Sequence, residues 1–382
     1  MSKQLDENFE EASRVDTALA VDRDRIIEGV RESPRTVALG GEQQRRARRV
    51  SISGFFGRPI AGAAFGAVVV YLVFAIAAYS HGFVSLDGTA AWLDQAAELG
   101  IVAVPVGLLM IGGEFDLSIA SVIGAAALTV SIGSGHYGLP LLVSIGIALV
   151  GAAGIGLLNG IITVRTGVPS FIVTLASYFA LGGASLALTS LLTGGATVSL
   201  NTSGWLNALF AASPHQFNVS ILWCAAVVLF GAYVLSKTVF GNWLQATGGD
   251  KLAAREAGVP TARVKITLFV ASSLGAALLG VIQAVEYSGA NVGQGTNFIF
   301  DSIVAVVVGG VFMQGGYGSA FGIAFGTMTY SIVSVGVYYT GWDSNLTQLF
   351  IGVLVLGAVL ANNTLRQMAM SRTGSRRVRH GR

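Results

Sequence analysis

Residues 141–164 read LLVSIGIALVGAAGIGLLNGIITV, a run without a single charged side chain. A helix crosses a bilayer with about 20 predominantly apolar residues, so this run is long enough to span a membrane. Its small residues, Gly156 and Gly160 among them, favour close packing against a neighbouring helix. The run therefore predicts a membrane-spanning helix inside a packed bundle.

Similar runs recur along most of the chain. Hydrophobic residues make up 53% of the 382 residues, and the mean hydropathy is +0.68. This composition excludes a soluble core and predicts an all-α polytopic membrane protein. The second, third and eighth runs are short for a full crossing, so we expect some helices to be broken or re-entrant. We predict about ten transmembrane helices, near residues 60–79, 99–111, 119–132, 141–164, 171–192, 219–236, 266–285, 300–312, 321–339 and 346–361.

The basic residues predict the orientation in the membrane. Between Pro59 and Leu365 there are six of them, Arg165, Lys237, Lys251, Arg255, Arg263 and Lys265. If the N-terminus lies inside, all six fall in inner loops, and the five outer loops contain no lysine or arginine. Cytoplasmic loops are enriched in these residues, so both termini are predicted to be cytoplasmic. The outer loops are residues 81–98, 133–140, 193–218, 286–299 and 340–345.

The two ends of the chain differ from this transmembrane domain, residues 59–365. Residues 1–58 hold eleven basic and ten acidic side chains and no long apolar run. This composition predicts a largely disordered cytoplasmic tail. Residues 366–382 form a second, basic cytoplasmic tail. The first apolar segment is too long for the core of a signal peptide.

Residues 112–119, GGEFDLSI, place two carboxylates at membrane depth. Each costs about 2.5–3.5 kcal/mol at the centre of a membrane helix, and broken backbone at that depth is tolerated only within protein or beside water. We therefore expect a helix break here. Asp116 and Ser118 are candidates to cap the next helix and, with Glu114 and Phe115, to line a translocation path, and the two roles are compatible.

Residues 298–305, FIFDSIVA, repeat part of this pattern and are followed by Gly309 and Gly310. Interrupted apolar segments at corresponding places in two halves point to a transport site between repeats. Phe300, Asp301 and Ser302 are the candidates here. A helix cap is the alternative role for Asp301.

Residues 248–258, GGDKLAAREAG, form the largest charged cluster of the membrane domain, in an inner loop of about residues 237–265. The alanines favour a short helix that ends at Gly258. Such a helix suits docking to a partner protein, whereas an ordinary solvated loop is the alternative.

Several kinds of chemistry have no signal in this sequence. Cys224 is the only cysteine, and the four histidines show no ligand spacing. No motif for nucleotide phosphates or for zinc hydrolysis occurs. We expect no metal site, no bound cofactor and no enzymatic activity in this chain.

Three blocks of residues together resemble a known family. They are GEFDLS at 113–118, Asn159-Gly160 followed by VPSFIVTL at 168–175, and the 248–258 loop followed by DSIVA at 301–305 and Val308-Gly309-Gly310. In this order, over about residues 60–362, they are similar to the permease subunit of bacterial ABC importers of the ribose, galactose and xylose type. That superfamily also contains branched-chain amino acid permeases. One departure from the family pattern is Leu252, where the family has Glu. Another is Glu114-Phe115, where the family commonly has Ile or a similar apolar residue before the Asp.

The resemblance implies a permease dimer in the bacterial inner membrane that imports a neutral sugar or polyol. It implies a periplasmic or lipoprotein sugar-binding protein outside, an ATP-binding subunit that holds ATP and Mg inside, and no nucleic acid. Asn159 joins the candidates for the path. The coupling contacts to the ATP-binding subunit are expected at Leu252, Ala253, Ala254, Arg255, Glu256 and Gly258.

Two other functions stay open at this point. One is a branched-chain amino acid permease of the same superfamily. The other is a secondary transporter in which Glu114, Asp116 and Asp301 couple to an ion. The scarcity of basic residues in the membrane domain favours a neutral cargo, because an anionic cargo would need them.

Overall fold

The computed structural model describes residues 59–360, so the predicted tails, residues 1–58 and 366–382, lie outside the described residues. Two short strands, β1 (Thr197–Ser199) and β2 (Gly289–Asn291), accompany the helices. The α-helices of the described range are α1 (Pro59–Ala77), α2 (Leu86–Ile111), α3 (Ile119–Val130), α4 (Leu141–Thr166), α5 (Ser170–Thr193), α6 (Trp205–Ala211), α7 (Ser220–Lys237), α8 (Val239–Gly249), α9 (Lys251–Glu256), α10 (Thr261–Glu286), α11 (Phe298–Val308), α12 (Ala320–Thr340) and α13 (Leu346–Leu360).

Each of the ten predicted membrane segments contains a helix. Eight helices of the described range are long and apolar enough to cross a membrane, and α11 and α13 are shorter. The 11 residues of α11 span only about 16 Å at the usual rise per residue, which confirms the expectation of an interrupted segment there. The third segment is longer than predicted, because α3 continues as a π-helix over Ser131–His136.

The predicted second segment was wrong at its start. We expected a short span from residue 99 and an outer loop before it, but α2 begins at Leu86 and has 26 residues. Ser85 caps it by accepting a hydrogen bond from the Gly88 amide at 3.1 Å. Asp94 and Glu98, which lower the hydropathy of this part of the chain, lie on one face of the helix and are bonded to other segments.

The core of the bundle is built around α2 and α10, which are the most buried of the long helices. α10 packs on α4, α3 and α2, and α12 packs on α2 and α1. The predicted close packing at the α4 glycines is confirmed. A Cβ atom at Gly156 would lie 2.6 Å from the Phe269 carbonyl oxygen, and one at Gly160 would lie 2.9 Å from Ile266 Cα.

Two contacts agree with the two sets of loops that the topology predicts. At one end β1 and β2 pair antiparallel, with Val198 opposite Ala290, and so join the predicted outer loops 193–218 and 286–299. At the other end the Gly316 amide donates to the Ile111 carbonyl at 2.7 Å, beside Gly248. The assignment of the second end to the cytoplasm stays a prediction from the basic residues.

Candidate functional site

A polar cavity of about 440 Å³ lies between α2, α10, α11, α12 and the loop that precedes α7. Small-molecule sites in proteins have volumes of roughly 300–1,000 Å³. The cavity lies at the β1–β2 end of α2 and α10. Among the described residues that line it there is no lysine or arginine: Asp94, Gln95, Glu98, Leu99, Asn218, Gln283, Glu286, Tyr287, Gln294, Asn297, Phe298, Asp301 and Tyr330.

Glu98 is held by two residues from the end of α10. Its Oε2 accepts a hydrogen bond from Gln283 Nε2 at 2.6 Å, and its Oε1 accepts one from the Tyr287 hydroxyl at 3.0 Å. Burial, together with the Glu98 and Glu286 carboxylates, raises the pKa of Tyr287. The phenol therefore stays protonated and acts as a donor to Glu98.

Asn218 bridges two further carboxylates of the cavity. Its side-chain Nδ2 donates to Glu286 Oε1 at 2.6 Å, and its backbone amide donates to Asp94 Oδ1 at 3.0 Å. These bonds connect α10 and α2 through the residue that precedes α7. The cavity wall is thus rich in oriented acceptors.

Asp301 lies where this cavity meets a second one. It lines both the 440 Å³ cavity and a groove of about 940 Å³ between α11 and α13, as does Tyr330. Phe300 lines only the groove. Ser302 lines neither space; its side chain is buried, and its hydroxyl donates to the Ile299 carbonyl at 3.1 Å. The alternative of Asp301 as a helix cap is wrong: Asn297 occupies the N-cap position, and Asp301 lies within the first turn of α11.

Glu114 lies in the loop between α2 and α3, far from the cavity. It forms an ion pair with Lys265 in the second turn of α10, and both side chains are buried. The basic partner of the Glu114 carboxylate therefore belongs to the same chain. The carboxylate is neutralised by this pair and lines neither of the two polar cavities.

Asp116 is the centre of a buried network next to this pair. Its Oδ1 accepts from the Ser118 amide at 2.9 Å and the Ser118 hydroxyl at 2.5 Å, and its Oδ2 accepts from the Ser272 hydroxyl at 2.9 Å. Asn159 Nδ2 donates to Ser118 Oγ at 3.0 Å, and the Ser177 hydroxyl donates to Asn159 Oδ1 at 2.5 Å. The network joins α3, α4, α5 and α10.

The predicted helix cap is only partly present in this network. Ser118 stands at the N-cap position of α3, but its side chain accepts nothing from the helix amides and donates to Asp116 instead. Side chains of α5 hold the backbone of the same loop. Ser170 Oγ accepts from the Phe115 amide, and Thr174 Oγ1 accepts from the Leu117 amide, each at 3.0 Å. Irregular backbone at depth is thus packed in protein, as the helix break required.

The charged loop contains the predicted short helix, α9. Asp250 Oδ1 accepts from the amides of Leu252 and Ala253 at 2.9 and 3.0 Å, so Asp250 caps the start of this helix. Gly258 follows the helix with φ +83°, which confirms the predicted end.

The surface of α9 is mostly exposed. Leu252 has 69% of its surface exposed, Arg255 and Glu256 are exposed, and Ala254 is buried against the protein. The Lys265 ammonium lowers the pKa of Lys251, with burial as a smaller cause. The predicted coupling residues other than Ala254 are therefore accessible, and their role stays a prediction.

Sequence reasoning missed most of the acceptors around the cavity. Asp94, Glu98 and Glu286 were placed in predicted outer loops, and Gln283 was counted only as part of an apolar run. One signal could have found the first two: carboxylates four residues apart lie on the same helix face. Gln283 and Glu286 lie three residues apart, a spacing that also places two side chains on the same helix face.

These features define a multi-pass membrane permease, in which a polar cavity opens near one end of the bundle and a charged helix is exposed at the other. Residues 88–359 match the family model described as the permease component of branched-chain amino acid transport systems, and the chain belongs to this family of ABC transporter permeases. Subunits of this family are not themselves enzymes.

The curated relatives cover most of the chain. A probable ABC transporter permease, YphD of Escherichia coli K12, is 34% identical over 84% of this chain and 95% of its own length. The ribose import permease RbsC of the same strain is 28% identical over 77% of this chain and 91% of its own. The fructose import permease FrcC of Rhizobium meliloti is 30% identical over 72% and 78%. No solved structure matches the chain with significant similarity.

Proposed function

We propose that this chain is the permease subunit of an ATP-driven importer that moves a neutral sugar or sugar-like solute across the bacterial inner membrane. The observation that supports this proposal most directly is the chemistry of the 440 Å³ cavity. Its described lining residues supply carboxylate, amide and phenol groups and no cation. Relatives named for ribose and fructose import support the same cargo class.

A hydroxyl-rich neutral solute suits such a wall. Each sugar hydroxyl can donate to a carboxylate or amide oxygen, and hydrogen bonds to ionised acceptors are about twice as strong as neutral ones. An anionic cargo would instead meet Asp94, Glu98 and Glu286 without a compensating base. The site chemistry thus favours uncharged cargo.

The partners follow from the two ends of the bundle. An ATP-binding subunit, which would hold ATP and Mg, docks on α9, and a substrate-binding protein delivers cargo at the β1–β2 end. A second permease copy completes the path. Movement of α9 would reach the core through α8, whose Gly248 touches the end of α2, and through Lys265 on α10.

A branched-chain amino acid is the second candidate cargo, because the family description names it. The cavity offers acceptors for its ammonium group but no basic side chain for its carboxylate, and this favours the sugar. Membership of an ABC permease family argues against the ion-coupled secondary transporter.

The test is uptake of radiolabelled pentoses, hexoses, polyols and leucine in cells with this chain deleted or restored, with and without ATP depletion. We expect deletion to abolish uptake of one neutral sugar or polyol, and ATP depletion to do the same in restored cells. Loss of leucine uptake alone would identify an amino acid importer. Uptake that survives ATP depletion but stops when the ion gradient collapses would contradict the ATP-driven mechanism.

A further inference from the structure

Three side-chain atoms around the 440 Å³ cavity have no hydrogen-bond partner among the described residues. They are Gln283 Oε1, Glu286 Oε2 and Gln294 Nε2, two acceptors and one donor. Gln283 is only 3% exposed. A buried polar atom without a partner costs about 1–3 kcal/mol, so buried groups of this kind are normally bonded to protein, water or a ligand.

The free atoms are held in place by bonds at the other end of their own side chains. Gln283 Nε2 donates to Glu98 Oε2 at 2.6 Å, which leaves Oε1 as the unbonded atom of that amide. Asn218 Nδ2 binds Glu286 Oε1 at 2.6 Å and leaves Oε2 free. Gln294 Oε1 accepts from the Asn291 amide at 3.3 Å and leaves Nε2 free. Each side chain therefore has one anchored and one unbonded polar atom.

We infer that the permease itself contains a binding site for a neutral polyhydroxylated solute, made by Gln283, Glu286 and Gln294. Solute hydroxyls donate to the two free oxygens and accept from the free amide nitrogen, and the rings of Tyr287 and Phe298 cover the apolar faces of the solute. This inference rests on the proposed function and adds that the permease selects its cargo a second time, after the binding protein.

Other ligands fit these groups less well. In the described part of the chain, no three acidic, histidine or cysteine residues are placed to hold a metal ion. Of the three free atoms, an anion could use only one, the donor Gln294 Nε2, and it would face several carboxylates. A neutral solute with several hydroxyls satisfies acceptors and donor together.

The first test uses the complete transporter, with its ATP-binding subunit and binding protein, in proteoliposomes. ATP-driven uptake of tritiated D-ribose, D-fructose, D-galactose and xylitol is compared with ATP hydrolysis stimulated by the loaded binding protein. Gln283→Leu should lower uptake at least about tenfold, since sites built to bind a hydroxyl discriminate strongly when the bond is lost. Stimulated hydrolysis should stay within about twofold of wild type, because subunit docking lies at the other end of the bundle. Thr189→Val is the control, because it removes a buried hydroxyl of α5 that does not line the cavity.

The second test does not depend on turnover. In a Cys224→Ser background, Gln95→Cys places a thiol at the cavity without touching the three proposed contacts. The imported neutral sugar should slow its reaction with a membrane-impermeant maleimide, whereas D-ribose 5-phosphate should not.

The outcomes separate the two proposals. If the wild type imports a neutral sugar but Gln283→Leu transports normally, or the sugar does not protect the thiol, the binding site is wrong and the proposed function stands. If the wild type imports none of the neutral solutes, both are wrong.

Discussion

Lys265 Nζ donates to Glu114 Oε1, so that the second turn of α10 is tied to the loop that breaks the chain between α2 and α3. Both side chains are nearly inaccessible, at 8% and 11% exposure. Lys265 belongs to the helix that follows the exposed helix α9. The pair therefore ties the start of α10 to the loop that contains Asp116.

Removing one partner of this pair should be strongly destabilising. Lys265→Met leaves the Glu114 carboxylate buried and unpaired, and we expect the free energy of unfolding to fall by about 3–5 kcal/mol. The double variant Lys265→Met with Glu114→Met should recover most of this loss. Thermal unfolding of the purified permease in detergent measures both, and the exposed Arg165→Met is the control. Additive losses in the double variant would show that the two residues do not interact.

Asp116 should matter through its network more than through contact with cargo. Asp116→Ala leaves the Ser118 amide, the Ser118 hydroxyl and the Ser272 hydroxyl without their acceptor. Each buried donor left unpaired costs about 1–3 kcal/mol, so the melting temperature should fall clearly. Asp87→Ala, at an exposed position in the first turn of α2, should change it little. A wild-type melting temperature together with wild-type uptake would remove Asp116 from both structure and mechanism.

Gly248 should not tolerate a side chain, whereas Gly249 should tolerate one. A Cβ atom at Gly248 would overlap the Ile111 carbonyl oxygen and lie 2.8 Å from the Gly316 amide nitrogen. Gly248→Ala should therefore cost about 1–3 kcal/mol or more by overpacking. At Gly249 the nearest atom would be Gly316 Cα at 3.8 Å, an ordinary contact. The comparison is made by the membrane abundance and melting temperature of Gly248→Ala and Gly249→Ala, and equal behaviour would contradict the close approach.

The sequence was sufficient for features that depend on local composition. Ten apolar segments are visible because charged residues are almost absent from them, and the short α9 is visible because alanines precede Gly258. Gly113, with φ +82°, ends α2 as the paired glycines and the following carboxylates indicated. Each of these features depends on residues that lie within about one helix length of each other in the chain.

The parts that failed depend on partners far away in the chain. The charge of Glu98 lowers the hydropathy of its segment, so the predicted start of α2 was too late. The bond that Glu98 accepts from Gln283 joins residues 185 positions apart, and hydropathy does not include it. The ion pair between Glu114 and Lys265 joins residues 151 positions apart. A single sequence indicates at most which of these side chains share a helix face. It contains no local pattern that shows which segments pair, so the arrangement of the cavity wall could be found only in the folded chain.

The orientation in the membrane can be tested with single cysteines in a Cys224→Ser background. Asp343→Cys lies in the exposed loop between α12 and α13, a predicted outer loop, and should react with an impermeant maleimide in intact spheroplasts. Glu256→Cys on α9 should react only after permeabilisation, because the basic residues place this loop inside. The reverse pattern would invert the topology and with it both proposed docking faces.

The exposed face of α9 should determine how tightly the ATP-binding subunit binds. Glu256→Ala removes an exposed charge, and Arg255→Ala also removes a bond from Nε to Thr261 Oγ1 at 3.2 Å. A few interface residues usually carry most of the binding energy, so we expect the double variant to weaken binding about tenfold. Binding of the ATP-binding subunit to the permease in nanodiscs measures this, with the melting temperature as a check on folding. Arg165→Ala removes an exposed charge from another predicted inner loop and should bind normally. Equal affinities for all three proteins would mean that α9 is a solvated loop and that coupling uses another surface.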